Sequence, residues 1–221
     1  MPAQGPVPED RPHLIETMRA EGGEALRLAA HLARMRASAA ALGLAFPEAD
    51  AEAELRATAR GAVSPSRLRI ELAPDGSHEV TISALAPFPA SGLPAVILAS
   101  ERLDSGNPLL AHKTNRRAVY ERGRARLHEF PGAIDVVFCN ERGEVCEGGI
   151  SNIFVDIDGQ LLTPPVASGL LPGIMRAEII RTRKAQERVL FPADLRAARA
   201  LYVTNSVRGM VQVILAGPAD G

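Results

Sequence analysis

The 221-residue sequence has no tryptophan, two tyrosines and six phenylalanines, so its core has to be built from Leu, Ile, Val and Ala. It has only two cysteines, Cys139 and Cys146. Two thiols make no disulfide framework, no second pair stands at metal-ligand spacing, and the five histidines do not cluster with them. A charge surplus is missing too: 25 Lys and Arg against 26 Asp and Glu give a net charge of -1. That balance offers nothing to a nucleic-acid backbone. No apolar run approaches the roughly 20 residues that cross a bilayer. The start, Met1 to Arg11, is rich in proline and acid and lacks the basic-then-apolar profile of a signal peptide. Neither the phosphate-loop pattern ending in Gly-Lys-Ser/Thr nor G-x-G-x-x-G occurs. These absences lead us to expect a soluble, cytoplasmic protein with no metal, membrane or nucleic-acid partner.

What is present is ordinary globular composition, 46% hydrophobic and 23% charged. His13 to Arg19 alternates partly like a strand, and Glu21-Gly22-Gly23-Glu24 reads as a turn. Leu28, Leu32, Met35, Ala39 and Leu42 fall at helical spacing and predict a helix over 26–42, ended by Gly43. Pro47 opens a second helix, Glu48 to Arg60. Strands at 67–72 and 80–85 flank the turn Pro74-Asp75-Gly76-Ser77. Three prolines and a glycine between Pro87 and Pro94 predict a linker. It divides a small N-terminal α+β domain, 1–88, from a larger C-terminal domain, 95–221. The latter is expected to hold strands at 95–99, 134–139, 150–157, 161–162, 200–203 and 210–215. Helices are expected at 116–128 and from Leu171-Pro172-Gly173 to about Lys184. Antiparallel hairpins mixed with helices make the fold class α+β.

Four features bear on chemistry. Lys113 stands in a polar loop beside Arg116 and Arg117; a lysine forms Schiff bases when burial or positive charge lowers its pKa, and is otherwise a solvated surface group. Glu147 precedes Gly148-Gly149 and a strand, where glycines allow close backbone approach to a ligand or merely form a turn. Gly169-Leu170-Leu171-Pro172-Gly173-Ile174-Met175-Arg176 opens a helix whose free N–H groups could bind an anion. Arg34 lies on the first helix, one turn from Ser38, within reach of a phosphate or of solvent.

Taken in order along nearly the whole chain, these motifs resemble the fold-type IV pyridoxal-phosphate enzymes, the class IV aminotransferases. Ile15-Glu16-Thr17-Met18-Arg19 resembles the family's opening strand, and His31 through Leu42 its His-x-x-Arg helix. Ser151-Asn152-Ile153-Phe154, Thr163-Pro164 and Gly169 to Arg176 resemble its later signatures, and Thr204-Asn205-Ser206 its last phosphate loop. The resemblance implies two domains, a small α/β one and a larger β-rich pseudo-barrel. It implies that Lys113 bears pyridoxal 5'-phosphate and moves protons. Glu147 would pair with the ring nitrogen, and Arg34, the backbone of Ile174 and Met175, Asn205 and Ser206 would hold the phosphate. Three positions depart from the family pattern: Arg116 replaces a frequent Asn, Met175 a common Thr, and Gly149 a frequent Ser or Thr. Family members are dimers acting on small molecules, so a homodimer is expected.

His112-Lys113-Thr114-x-x-Arg117-x-x-Tyr120 resembles the aminodeoxychorismate lyases, especially modules fused to aminodeoxychorismate synthase, which would act upstream. Arg117 and Tyr120 then become candidate substrate contacts. The implied reaction converts 4-amino-4-deoxychorismate to 4-aminobenzoate and pyruvate, a step toward folate. The alternatives are amino-group transfer from a branched-chain or D-amino acid to a 2-oxo acid, and a cofactor-binding relic without turnover, against which the intact lysine and glutamate argue.

Overall fold

A computed structural model describes residues 11–62, 64–88 and 92–217. Met1 to Asp10 of the proline-rich start, and Pro89 to Ser91 of the expected linker, lie outside the described residues. The chain forms two units. One comprises the described residues up to Ala86 together with His112–Arg116; the other comprises those from Pro87 to Ala111 and from Arg117 onward.

The first unit is a four-stranded antiparallel sheet with two helices. Its strands are β1 (Leu14–Glu21), β2 (Glu24–Ala25), β3 (Ser66–Leu72) and β4 (His78–Ala84), in the order β2-β1-β3-β4. Helix α1 spans Leu28–Leu42 and α2 Glu48–Arg60. Side chains alternate faces along β1, and Leu14, Met18 and Ala20 join Leu32, Met35, Leu55, Leu68 and Ile70 in one core. The β3–β4 hairpin turns where expected: Asp75 Oδ1 accepts both the backbone N–H and the hydroxyl of Ser77, and Gly76 takes φ 92°. Helix α1 begins two residues later than the spacing predicts, because Arg27 adopts a left-handed φ of 60° and breaks the helical run.

The edge of β1 beside residues 13–15 is taken by the lysine segment. Leu14 bridges to Thr114, Ile15 N–H donates to the Lys113 carbonyl at 2.8 Å, and Asn115 N–H donates to the His13 carbonyl at 3.1 Å. The helix expected from Arg116 therefore starts later, as α3 (Ala118–Ala125), followed by a short 3-10 turn over Arg126–Glu129.

The second unit is built on eight strands. They are β5 (Ala95–Leu103), β6 (Ala133–Asn140), β7 (Val145–Gly148), β8 (Asn152–Ile157), β9 (Gln160–Thr163), β10 (Gln186–Glu187), β11 (Ala200–Asn205) and β12 (Gly209–Ala216). Their order is β10-β9-β8-β11-β12-β5-β6-β7, and β7 also pairs with β8, which closes the sheet into a barrel-like ring. The closure rests on one pair, Glu147 opposite Asn152. Val96, Val137, Val145, Ile153, Val155, Leu201 and Val213 fill the largest apolar cluster of this unit. The helices α4 (Ile174–Arg183) and α5 (Pro192–Ala197) join α3 in this unit. Neither β7 nor α5 is apparent from periodicity, being four and six residues long. The signal for α5 was its cap: Pro192 stands first, and Asp194 Oδ2 accepts the Phe191 N–H at 2.7 Å. Among the described residues no helix is long and apolar enough to cross a membrane.

Gly123 on α3 faces the fully buried ring of Phe138, and an added Cβ would lie 2.6 Å from its Cζ. Alanine gains about 1 kcal/mol over glycine inside a helix, but overpacking a core costs about 1–3 kcal/mol. Phe138 is fully buried and packs edge-on against Tyr120, centroids 5.1 Å apart, so a shift of its ring disturbs that contact as well. Gly123→Ala is therefore expected to lower stability in urea unfolding despite the better helix former. A rise in stability would contradict this packing.

Candidate active site

Two lysines occur in the whole sequence, Lys113 and Lys184. Lys184 is exposed at the end of α4. Lys113 is half-buried, and its main chain is fixed by the bonds to β1 described above. The preceding His112 places Nδ1 2.9 Å from the hydroxyl of Ser38 on α1. One face of α1 thus carries a polar stripe of His31, Arg34 and Ser38 at i, i+3 and i+7 toward the lysine segment and β1.

The stripe is organised by Glu16. Alternation puts Glu16 in the core-facing row with Leu14, Met18 and Ala20, and only 2% of it is exposed. Arg34 grips the carboxylate as a fork, Nε to Oε1 and Nη2 to Oε2, both at 2.7 Å. His31 Nδ1 lies 2.6 Å from Oε2, and since an ionised carboxylate only accepts, that nitrogen carries the proton. Burial alone would raise the Glu16 pKa; the Arg34 charge and the His31 and Arg34 hydrogen bonds outweigh it and hold the group at about 2. The plane of Arg34 is thereby set by a carboxylate.

In the second unit, Glu147 is the last residue but one of β7, with its side chain buried. The Tyr120 hydroxyl donates to its Oε1 at 2.7 Å, and the Leu171 N–H to its Oε2 at 3.1 Å. Arg117 lays its guanidinium 4.6 Å from the centre of the Tyr120 ring and donates to the Gly149 carbonyl. Arg117 and Tyr120, expected at the substrate, are thus engaged with Glu147 and the turn after it.

The glycine pair has a different cause from the one the sequence suggested. A Cβ on Gly148 would lie 2.5 Å from Asp135 Oδ2, and one on Gly149 2.9 Å from Asp135 Oδ1 and 2.8 Å from Arg124 Cδ. The space is filled by protein, which also explains why no larger residue stands at Gly149. Asp135 is almost fully buried and accepts from Arg124 Nη1 at 2.7 Å, the Ser151 hydroxyl at 2.6 Å and the Ile150 N–H at 3.2 Å. Burial pushes its pKa up against those donors.

Asn152 links this turn to the glycine-bearing loop. Its Nδ2 donates to the Leu171 carbonyl at 2.9 Å, and its Oδ1 lies 2.0 Å from where a Gly173 Cβ would be, so only glycine fits there. Gly173 caps α4 without a side-chain bond, no acidic residue stands in the first turn, and the first N–H groups belong to Ile174 and Met175. Arg176 donates to the Pro164 carbonyl and to Glu187, bracing α4. Asn205 serves its own turn, Oδ1 accepting the N–H of Val207 at 3.0 Å and of Arg208 at 2.9 Å, and it reaches the Ile150 carbonyl at 3.4 Å. Ser206, next to it, is buried. In the second unit the structure therefore gathers Glu147, Arg117, Tyr120, the Ile174–Met175 helix start and Asn205–Ser206; in the first it gathers Arg34 and the lysine segment. A cavity of about 740 Å³ in the second unit, lined by Leu93, Phe130, Leu201 and Ile214 among others, includes none of these residues.

The family model described as Amino-transferase class IV matches residues 13–215. A Schizosaccharomyces pombe protein provisionally named an aminodeoxychorismate lyase is 29% identical over 208 residues, 92% of this chain and 89% of that protein. The crystal structure of a chain from Mesorhizobium loti, provisionally named an amino-acid aminotransferase, superimposes with a TM-score of 0.84 at 41% identity, covering 93% of this chain and 100% of that one. A Thermotoga maritima protein, named a probable branched-chain-amino-acid aminotransferase, is 36% identical over 90 residues, 38% of this chain and 33% of that protein.

Glu16 carries a measurable signature. Its folded pKa lies below its ordinary value of 4.5, so its stabilising contribution is complete above pH 4.5 and is lost as pH falls through about 2. The shift corresponds to about 3 kcal/mol, in line with the cost of breaking a buried ion pair. Glu16→Gln is expected to lower stability by that order at pH 7, with the gap to the natural chain closing between pH 4.5 and 2 in urea unfolding. A gap independent of pH would contradict an ionised Glu16.

Proposed function

Since the chain belongs to the class IV aminotransferase family, we propose that this enzyme uses pyridoxal 5'-phosphate held on Lys113, and that it converts 4-amino-4-deoxychorismate to 4-aminobenzoate and pyruvate. The lyase reading is supported chiefly by the similarity to the S. pombe protein, which extends over 92% of this chain.

The residues suit such a group. A phosphate calls for a positive charge and for main-chain donors at a helix start. Arg34, its plane set by Glu16, and the N–H groups of Ile174 and Met175 at an uncapped helix start answer that need. Ser206 adds a hydroxyl in the same reading, whereas the Asn205 side chain works mainly in its own turn. When bound, the cofactor supplies a pyridine ring that takes up charge from the substrate carbon bearing the amine.

Lys113 would hold the cofactor, and its Nζ would take the proton from the substrate carbon that bears the amine. Glu147 holds a proton at the ring nitrogen, the condition for the ring to accept charge. Loss of the enolpyruvyl side chain as pyruvate then leaves an aromatic ring, with no outside oxidant or reductant. The same reading places an aminodeoxychorismate synthase upstream and makes the working form a homodimer.

A second reading, amino-group transfer to a 2-oxo acid, is favoured by the 41% identity to the M. loti chain. Incubation with 4-amino-4-deoxychorismate, and separately with branched-chain or D-amino acids plus 2-oxoglutarate, separates the two: 4-aminobenzoate and pyruvate mark the lyase, glutamate the transferase.

Lys113→Ala is expected to cut single-turnover rates by on the order of a thousand-fold, since nucleophile and proton shuttle go together. Substantial residual activity would remove Lys113 from the mechanism. Glu147→Gln keeps shape and loses charge, so cofactor occupancy should hold while proton abstraction slows. Full occupancy at a normal rate would leave Glu147 without its role.

A further inference from the structure

We propose that Tyr120 is a positioning residue that acts through Glu147, its hydroxyl favouring the charged carboxylate and fixing one carboxylate oxygen in place. This rests on the reading that Glu147 holds a proton at the ring nitrogen, and it replaces the expectation that Tyr120 meets the substrate.

The tyrosine is held from several sides. Its ring packs edge-on against Phe138 at an interplanar angle of 67°, and Arg117 covers it at 4.6 Å. The same guanidinium donates to the Gly149 carbonyl, two residues beyond Glu147, so the ring is riveted to the turn that Glu147 leads into. The hydroxyl ends 2.7 Å from Glu147 Oε1. Burial and the Glu147 charge push the phenol far above its ordinary pKa, so it stays a neutral donor.

A hydrogen bond to a carboxylate favours its ionised form. Tyr120 on Oε1 and the Leu171 N–H on Oε2 each occupy one direction of the group. One donor on each oxygen fixes the plane and the direction of the group. Without the hydroxyl, Glu147 would become more basic and freer to turn. A more basic carboxylate competes for the very proton it should hold on the ring, and charge at the substrate carbon is then accepted less well.

The test is Tyr120→Phe, which keeps the ring and deletes the donor, made in the natural chain and in the Glu147→Gln background. In the natural background kcat should fall about ten-fold, the low end for a hydrogen bond to a charged group. KM and the affinity of the cofactor-free protein for pyridoxal 5'-phosphate should stay within about two-fold, as for a residue that touches neither ligand. In the Glu147→Gln background the same change should be nearly silent, because a residue acting through another adds nothing once that one is altered.

In the cofactor-free protein, the carboxylate stretch of Glu147, assigned by infrared difference against Glu147→Gln, should shift in Tyr120→Phe. Replacement by 4-aminophenylalanine restores a donor on the ring and should recover most of the rate; it also serves if the phenylalanine variant folds poorly. Equal losses in both backgrounds, a raised KM, or an unmoved carboxylate band would overturn the proposal. A normal rate in Tyr120→Phe beside a slow Glu147→Gln would overturn it alone. A normal rate in fully occupied Glu147→Gln would overturn both it and the reading it rests on.

Discussion

A carboxylate taken out of water has to be met by donors, and three such groups dictate the structure around them. Glu16 draws Arg34 and His31 onto one carboxylate. Glu147 takes the hydroxyl of Tyr120 and the N–H of Leu171, and stands at the single pair that closes the second sheet. Asp135 collects Arg124, Ser151 and Ile150, and leaves so little room that residues 148 and 149 must be glycine. Removing any of the three would strand several partners at once, which is why the surrounding residue types admit so little choice.

Each group serves a different element. Glu16 sets the face of α1 that carries Arg34 and Ser38, and Ser38 in turn meets His112 beside the lysine. Asp135 shapes the turn that runs from Glu147 to Asn152, and Asn152 ties that turn to the loop leading into α4. The groups proposed to anchor a cofactor are therefore braced by a second set of residues. Such support is what holds a reactive constellation to the tolerance that chemistry needs.

Much of this was legible in the sequence where local signals were strong. Helix α1 followed from periodicity, α2 from the proline that opens it, and the β3–β4 hairpin from its Pro-Asp-Gly-Ser turn. Four-residue β7 and six-residue α5 are too short to show a period, and the start of α3 was displaced because Thr114 is committed to β1. In the site, the lysine, the glutamate and the helix arginine stood out through the order of motifs. Glu16 was quoted as part of a motif but given no role, although its place in phase with Leu14 and Met18 marks a buried charge. Asp135 sits in an apolar strand with no motif beside it, and only the fold brings Ser151 and Arg124 to it. Tyr120 and Arg117 were read as candidate substrate contacts; the long-range bonds that join them to Glu147 and Gly149 have no local signature.

The central claim is that Lys113 carries the cofactor, and the scarcity of lysine makes it open to direct chemistry: the only other candidate side chain is Lys184, exposed at the end of α4. Protein reconstituted with pyridoxal 5'-phosphate, reduced with borohydride and digested, can be mapped by mass spectrometry. The account predicts the added mass on the peptide containing Lys113, at close to one per chain. Label on Lys184, or shared between the two lysines, would contradict it.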